Sequence, residues 1–194
     1  MFKIVYDLPN GKNFAFVSRS CSSSLGLMAI KQFFPEKLEE YNSNPNNINT
    51  GTSHRLLGGR LVNDLPDGCA VMIRNPVERF ASLLNRTGYD TESALELIYW
   101  IYNVGQEPIK NNRLIERSSL DAAYHFMPYH LIINNNSHLF KFPNLRSMAN
   151  YLGISNDVSC EHINSISTII KFNNDEIYKI EKAYQKDLII WNSL

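Results

Sequence analysis

Two stretches of this chain follow one order: an apolar run, a turn rich in hydrogen-bond donors, then an amphipathic segment. The first is Phe14-Ala15-Phe16-Val17-Ser18-Arg19-Ser20-Cys21-Ser22-Ser23-Ser24-Leu25. The second is Cys69-Ala70-Val71-Met72-Ile73-Arg74-Asn75-Pro76-Val77-Glu78-Arg79-Phe80-Ala81-Ser82. Five consecutive apolar residues, 69–73, bounded by turn formers suit a strand covered on both faces. A strand that must be covered twice and runs straight into a helix commits the chain to layered α/β packing. Asn75 is placed to cap the following helix, Pro76 suits its first position and Glu78 stands three residues after the cap.

Both turns have the chemistry of an anion cradle. Unpaired backbone N–H groups and the positive end of a helix dipole meet at a helix start, and Ser22, Ser23 and Ser24 add hydroxyl donors there. Arg19 and Ser20 stand at the mouth of the first turn, and Arg74 ends the buried strand of the second. Arg79 and Ser82 are three residues apart and share a helix face. A serine that merely caps a helix explains the first turn, and a solvated arginine pairing with Glu78 explains Arg79. Two such turns in one chain point instead to a ligand with two separate anionic groups.

The two segments resemble the sulfotransferases that use 3′-phosphoadenosine 5′-phosphosulfate, in particular the Golgi-type carbohydrate sulfotransferases and their bacterial relatives. In that family a strand followed by Pro-Lys-x-Gly-Thr/Ser-Thr/Ser binds the 5′-phosphosulfate, and Arg-Asp-Pro-x-x-Arg-x-x-Ser binds the 3′-phosphate. Residues 17–25 are similar to the first motif and residues 74–82 to the second, where Asn75 replaces the aspartate. In the first motif Ser18 stands for proline, Arg19 for the lysine and Cys21 for glycine. Arginine keeps the charge but is larger, planar and permanently protonated, and cysteine lacks glycine's access to positive φ. Tyr124-His125-Phe126-Met127-Pro128-Tyr129 resembles the family's His-x-x-Pro-Gln, residues 139–145 its late strand, and Tyr184 with Asp187 its Tyr-x-x-Asp ending.

The resemblance implies a single domain over residues 1–194 with a three-layer, mostly parallel sheet and a P-loop-like strand–turn–helix nucleotide site. It implies a donor held by Arg19, Ser20, Cys21, Ser22, Ser23, Ser24, Arg74, Arg79 and Ser82, and transfer of its sulfuryl group to an acceptor hydroxyl, carbohydrate by family preference. Arg19 would then stabilise charge growing on the bridging oxygen, and Arg74 with Ser82 would grip the distal 3′-phosphate. The chemistry requires no metal, and no cluster in the sequence would hold one. A hydroxyl acceptor needs a base, which contributes a factor of about 10²–10⁴. His54, on the polar stretch between the two motifs, is the first choice and His125 the second, ahead of Glu39, Glu40 and Glu78. The alternative is a module of the same fold that binds a 3′-phosphorylated adenine nucleotide without catalysis.

Composition narrows the remaining classes. Nineteen basic and nineteen acidic residues cancel, so broad electrostatic binding of nucleic acid is not expected. No segment approaches the ~20 apolar residues of a membrane span, and residues 1–7 lack a signal-peptide core, so a cytoplasmic protein is expected. Cys21, Cys69 and Cys160 are scattered and odd in number, which reads as free thiols. The glycines and lysine of a P-loop NTPase are missing around Cys21. A cysteine phosphatase needs arginine six residues after its cysteine, where Cys21 has Leu27 and Cys69 has Asn75.

The remaining elements follow from local signals. Pro9-Asn10-Gly11-Lys12 predicts a hairpin between strands at 2–7 and 13–18. A helix is expected over 23–34, stopped by Pro35, and a long surface loop over 41–59, which is rich in Asn, Ser, Thr and Gly. Thr91 is expected to cap a helix burying Leu95, Ile98, Tyr99 and Tyr102. Trp100, Tyr102 and Phe126 read as core rather than as a sugar-stacking surface. One last helix from Asn174 is expected to bury Ile177, Ile180, Tyr184 and Leu188.

Overall fold

The computed structural model describes residues 3–20, 22–43, 51–104, 125–159 and 170–194, except the side chains of residues 22, 52, 54 and 104. They fall into two compact units, the first Met1–Arg74, Ile132–Ser165 and Leu194, the second Asn75–Leu131 and Ile166–Ser193.

The first unit is α/β and holds a five-stranded sheet. β1 (Lys3–Asp7) and β2 (Asn13–Ala15) form the expected hairpin, closed by Leu8 N–H to the Lys12 carbonyl at 2.8 Å and by Gly11 at φ 81°. The strand order is β3-β1-β2-β4-β5, with β3 (Arg60–Val62), β4 (Ala70–Ile73) and β5 (His138–Lys141). β3 and β2 pair antiparallel to β1, whereas β2, β4 and β5 pair in parallel. The sheet expected to be mostly parallel is therefore mixed. The hairpin forces one antiparallel pairing, and β3, short and mostly exposed, adds another on the outer edge of β1.

All four residues of β4 are buried, as a strand covered on both faces requires, and each of Val71, Met72 and Ile73 contributes about 1.5–3 kcal/mol by leaving water. Cys69, fully buried just before it, has its thiol pushed up to about 12, first by burial and then by the Asp7 carboxylate. Iodoacetamide at neutral pH is expected to spare Cys69 in the folded protein and to alkylate it in urea, because the thiolate is the reactive form. Peptide mass mapping reads both states, and rapid native labelling here contradicts a buried Cys69. Cys21 and Cys160 lie outside the described residues.

α1 (Ser22–Phe33) follows β2 and stops before Pro35, close to expectation. Of the stretch expected to be a loop, residues 41–43 end one short helix, α2 (Leu38–Ser43), residues 51–57 form another, α3 (Gly51–Leu57), and residues 44–50 lie outside the described residues. Ser53, Leu56 and Leu57 fall at helical spacing and are buried. α1 makes room for them at Gly26, where a Cβ would stand 3.1 Å from Ser53 and 3.3 Å from Leu57. Later in this unit α6 (Leu145–Tyr151) is capped by Asn144, whose side chain accepts from Ser147 N–H.

In the second unit, α4 (Pro76–Thr87) starts as its sequence signals require: Asn75 accepts from the N–H groups of Val77 and Glu78, and Pro76 follows it. α5 (Thr91–Val104) is capped by Asp90 rather than Thr91, through Ser93 N–H at 2.8 Å and the Ser93 hydroxyl at 2.9 Å. Its buried stripe is Ala94, Leu95, Ile98 and Ile101, while Tyr99 is exposed. The last helix is two, α7 (Asn174–Ala183) and α8 (Gln185–Ser193), broken at Tyr184 with φ −107° and ψ 24°. The break changes the helical phase, so Asp187 is fully buried where Leu188 was expected. Phe80 anchors this core against the rings of Phe126, Phe172 and Tyr184 at 5.6–6.2 Å.

No helix among the described residues is long and apolar enough to cross a membrane.

Candidate functional site

Parallel pairing decides where the two turns lie. Because β2 and β4 run the same way in register Phe14 with Ala70, their carboxyl ends emerge at one edge of the sheet. The residues leading to α1 and the residue ending β4 share that edge, the position at which α/β sheets hold ligands. β5 runs parallel as well and brings Phe142 to the same edge.

Arg74 joins these parts. Its Nη1 donates to the Arg19 carbonyl at 3.4 Å, and its guanidinium lies over the Phe142 ring at 4.9 Å. Arg19 has φ 61°, left-handed backbone that costs a residue with a Cβ about 1–2 kcal/mol. The turn thus carries positive φ at Arg19, two residues before the position at which the resembled family has glycine. Ser20 N–H donates to the Val17 carbonyl at 3.3 Å and the Ser20 side chain is buried. Ser22 is the first residue of α1, with Ser23 and Ser24 buried in its first turn; Cys21 lies outside the described residues. Arg19, Ser20, Ser22, Ser23, Ser24 and Arg74 all belong to the first unit.

Arg79 and Ser82 belong to the second unit, on the buried face of α4. Arg79 is 1% exposed. Its Nη2 donates to the carbonyls of His125 at 2.9 Å and Met127 at 3.0 Å, and its guanidinium lies over the Tyr129 ring at 4.6 Å. His125 enters this network through its main chain and is half-buried. His54 is in α3, and its side chain is outside the described residues.

The same segment is held from α8. Asp187 Oδ2 accepts from Tyr129 N–H at 2.6 Å, and its Oδ1 accepts from His130 N–H at 3.1 Å and faces His130 Nδ1 at 2.8 Å. Tyr184, one residue ahead of α8, donates its hydroxyl to the Phe126 carbonyl at 2.8 Å. Burial, and then the Asp187 charge, push the Tyr102 phenol above its ordinary value; it stays protonated and donates to the Ala183 carbonyl at 2.9 Å. The pairing of His130 with Asp187 did not emerge from sequence because the two stand 57 residues apart. The local signal was Tyr184 with Asp187, three residues apart and so on one helix face.

Among the described residues no three His, Cys, Asp or Glu side chains gather in a metal-binding group. Searches against protein-family models, curated proteins and solved structures find no match to this chain.

Proposed function

We propose that the chain is a sulfotransferase that moves a sulfuryl group from 3′-phosphoadenosine 5′-phosphosulfate to an acceptor hydroxyl, with carbohydrate as the favoured acceptor. The observation carrying this reading is the Arg74 guanidinium reaching the Arg19 carbonyl at the shared edge of β2 and β4. It supports one anion-binding region assembled from two motifs 55 residues apart. A three-layer, P-loop-like arrangement and a cytoplasmic setting belong to the same reading.

In this mechanism the N–H groups at the start of α1, with Ser22, Ser23 and Ser24, orient the phosphosulfate. The acceptor oxygen forms its bond to sulfur as the bond from sulfur to the bridging oxygen breaks, and Arg19 meets the charge growing on that oxygen. Arg74 binds a phosphate oxygen, with Ser82 as the second residue of its motif, and supplies binding energy remote from the reacting sulfur. His54 or His125 takes the acceptor's proton. The alternative, a nucleotide-binding module without transfer, is favoured by one observation: Arg19 stands where the resembled family has lysine.

Calorimetric titration with adenosine 3′,5′-bisphosphate tests the reading. The wild-type chain is expected to bind, and Arg74→Ala to weaken binding about 100-fold, the worth of a charge-assisted phosphate contact. Ser82→Ala is expected to weaken it less. Tight binding that neither substitution changes removes the assignment. Binding without sulfate transfer to sugar or phenol acceptors selects the non-catalytic module.

A further inference from the structure

Arg74 and Phe142 occupy equivalent places on neighbouring strands. β4 and β5 pair in parallel with Ile73 opposite Lys141, so each of the two residues stands one step beyond the last pair. The Phe142 N–H donates to the Ile73 carbonyl at 2.7 Å, which carries the ladder past that pair and fixes Phe142 beside the end of β4. Equivalent residues of paired strands project from the same face of the sheet, so the register sends both side chains to one side. There the Arg74 guanidinium lies over the Phe142 ring, 4.9 Å from its centre. Both residues are partly exposed, and both belong to the first unit.

An arginine that is not held makes a weak anion ligand. Its long stem samples many rotamers, and the freedom lost when a phosphate arrives is subtracted from the affinity. The bond from Nη1 to the Arg19 carbonyl, at 3.4 Å, is longer than the usual range of about 2.7–3.2 Å and restrains the fork weakly. The ring supplies the stronger restraint, because its negative face attracts the cation and sets the plane in which the guanidinium rests. It does so without competing for the N–H groups, which point outward in that plane toward oxygen acceptors. Burial alone does not call for an aromatic residue here, since Phe142 stays partly in water. Leucine would cover the Arg74 stem equally well; only an aromatic ring attracts its charge.

We propose that Phe142 is a positioning residue of the candidate anion site: its ring holds the Arg74 guanidinium ready, in a fixed plane, for a phosphate oxygen of the ligand. The inference rests on the reading of Arg74 as a phosphate ligand. The effect of Phe142 on binding passes through Arg74 and disappears where Arg74 is absent.

A double-mutant cycle on the full chain tests it, with adenosine 3′,5′-bisphosphate as the probe and NMR titration to reach the weak variants. Phe142→Leu is expected to weaken binding about fivefold to tenfold, and Phe142→Tyr, which keeps the ring, to bind within about twofold of wild type. In the Arg74→Ala background Phe142→Leu is expected to change the affinity less than about twofold. A loss of the same size with and without Arg74 overturns the proposal, as does a Phe142→Leu protein that binds like wild type while Arg74→Ala does not. Wild-type protein that binds no bisphosphate, or binding that Arg74→Ala leaves unchanged, overturns the reading of Arg74 and this proposal with it. A second measurement needs neither ligand nor folded variant: in free wild-type protein the ring current of Phe142 is expected to move the Arg74 δ-methylene protons upfield, and their appearance at ordinary arginine positions overturns the proposal alone.

Discussion

Replacing Asp187 by alanine is expected to destabilise the protein by about 3–5 kcal/mol, the range for deleting a buried charged hydrogen-bond partner. The carboxylate serves three donors: Tyr129 N–H, His130 N–H and His130 Nδ1–H. Tyr129 is fully buried, so its N–H has no water to turn to when the acceptor is removed. Asp187→Asn keeps one carbonyl oxygen but turns an NH₂ group toward a donor, and is expected to cost about half as much. For a chain of this size each kcal/mol moves the melting temperature by about 2–4 °C, so Asp187→Ala should melt at least 6 °C below wild type. Urea unfolding followed by circular dichroism gives the same quantity at constant temperature. A loss under about 1 kcal/mol would mean that Asp187 does not hold residues 129 and 130.

Sequence signals located the elements where local chemistry leaves few choices. Asn10-Gly11 closes a hairpin, 69–73 is a short apolar run bounded by turn formers that suits a buried strand, and Asn75-Pro76 starts a helix. They failed where a distant partner decides. α3 forms in a polar stretch because Gly26 of α1 leaves space for Ser53 and Leu57, which no pattern within 41–59 announces. β3 has three residues and becomes a strand by pairing with β1, and with it the sheet becomes mixed. The break at Tyr184 is likewise nonlocal: the hydroxyl of that residue bonds the Phe126 carbonyl, and the following turn then points Asp187 inward. At the candidate site the two motifs were legible as chemistry. The bond between Arg74 and the Arg19 carbonyl depends on β2 and β4 being parallel neighbours, a property of the folded sheet.

Arg79 separates a positioning role from a ligand role, because its motif places it with the nucleotide whereas its own bonds are to protein. The guanidinium is buried, donates to the carbonyls of His125 and Met127, and covers the Tyr129 ring. Arg79→Met preserves much of the volume but strips two carbonyls of a charged donor, and is expected to cost about 3 kcal/mol. Arg79→Lys retains the charge without the planar fork and is expected to recover about half of that loss. The affinity for adenosine 3′,5′-bisphosphate is the discriminating quantity. If Arg79 acts by holding the segment around His125, the folded Arg79→Met protein, measured well below its melting temperature, should bind within about threefold of wild type while Arg74→Ala does not. The opposite result, wild-type stability with binding lost, makes Arg79 a direct phosphate ligand and requires its guanidinium to leave the two carbonyls when nucleotide arrives. Such a departure would itself be measurable, since it leaves Met127, 1% exposed, with an unpaired buried carbonyl and should raise amide exchange through residues 125–130 in the nucleotide complex.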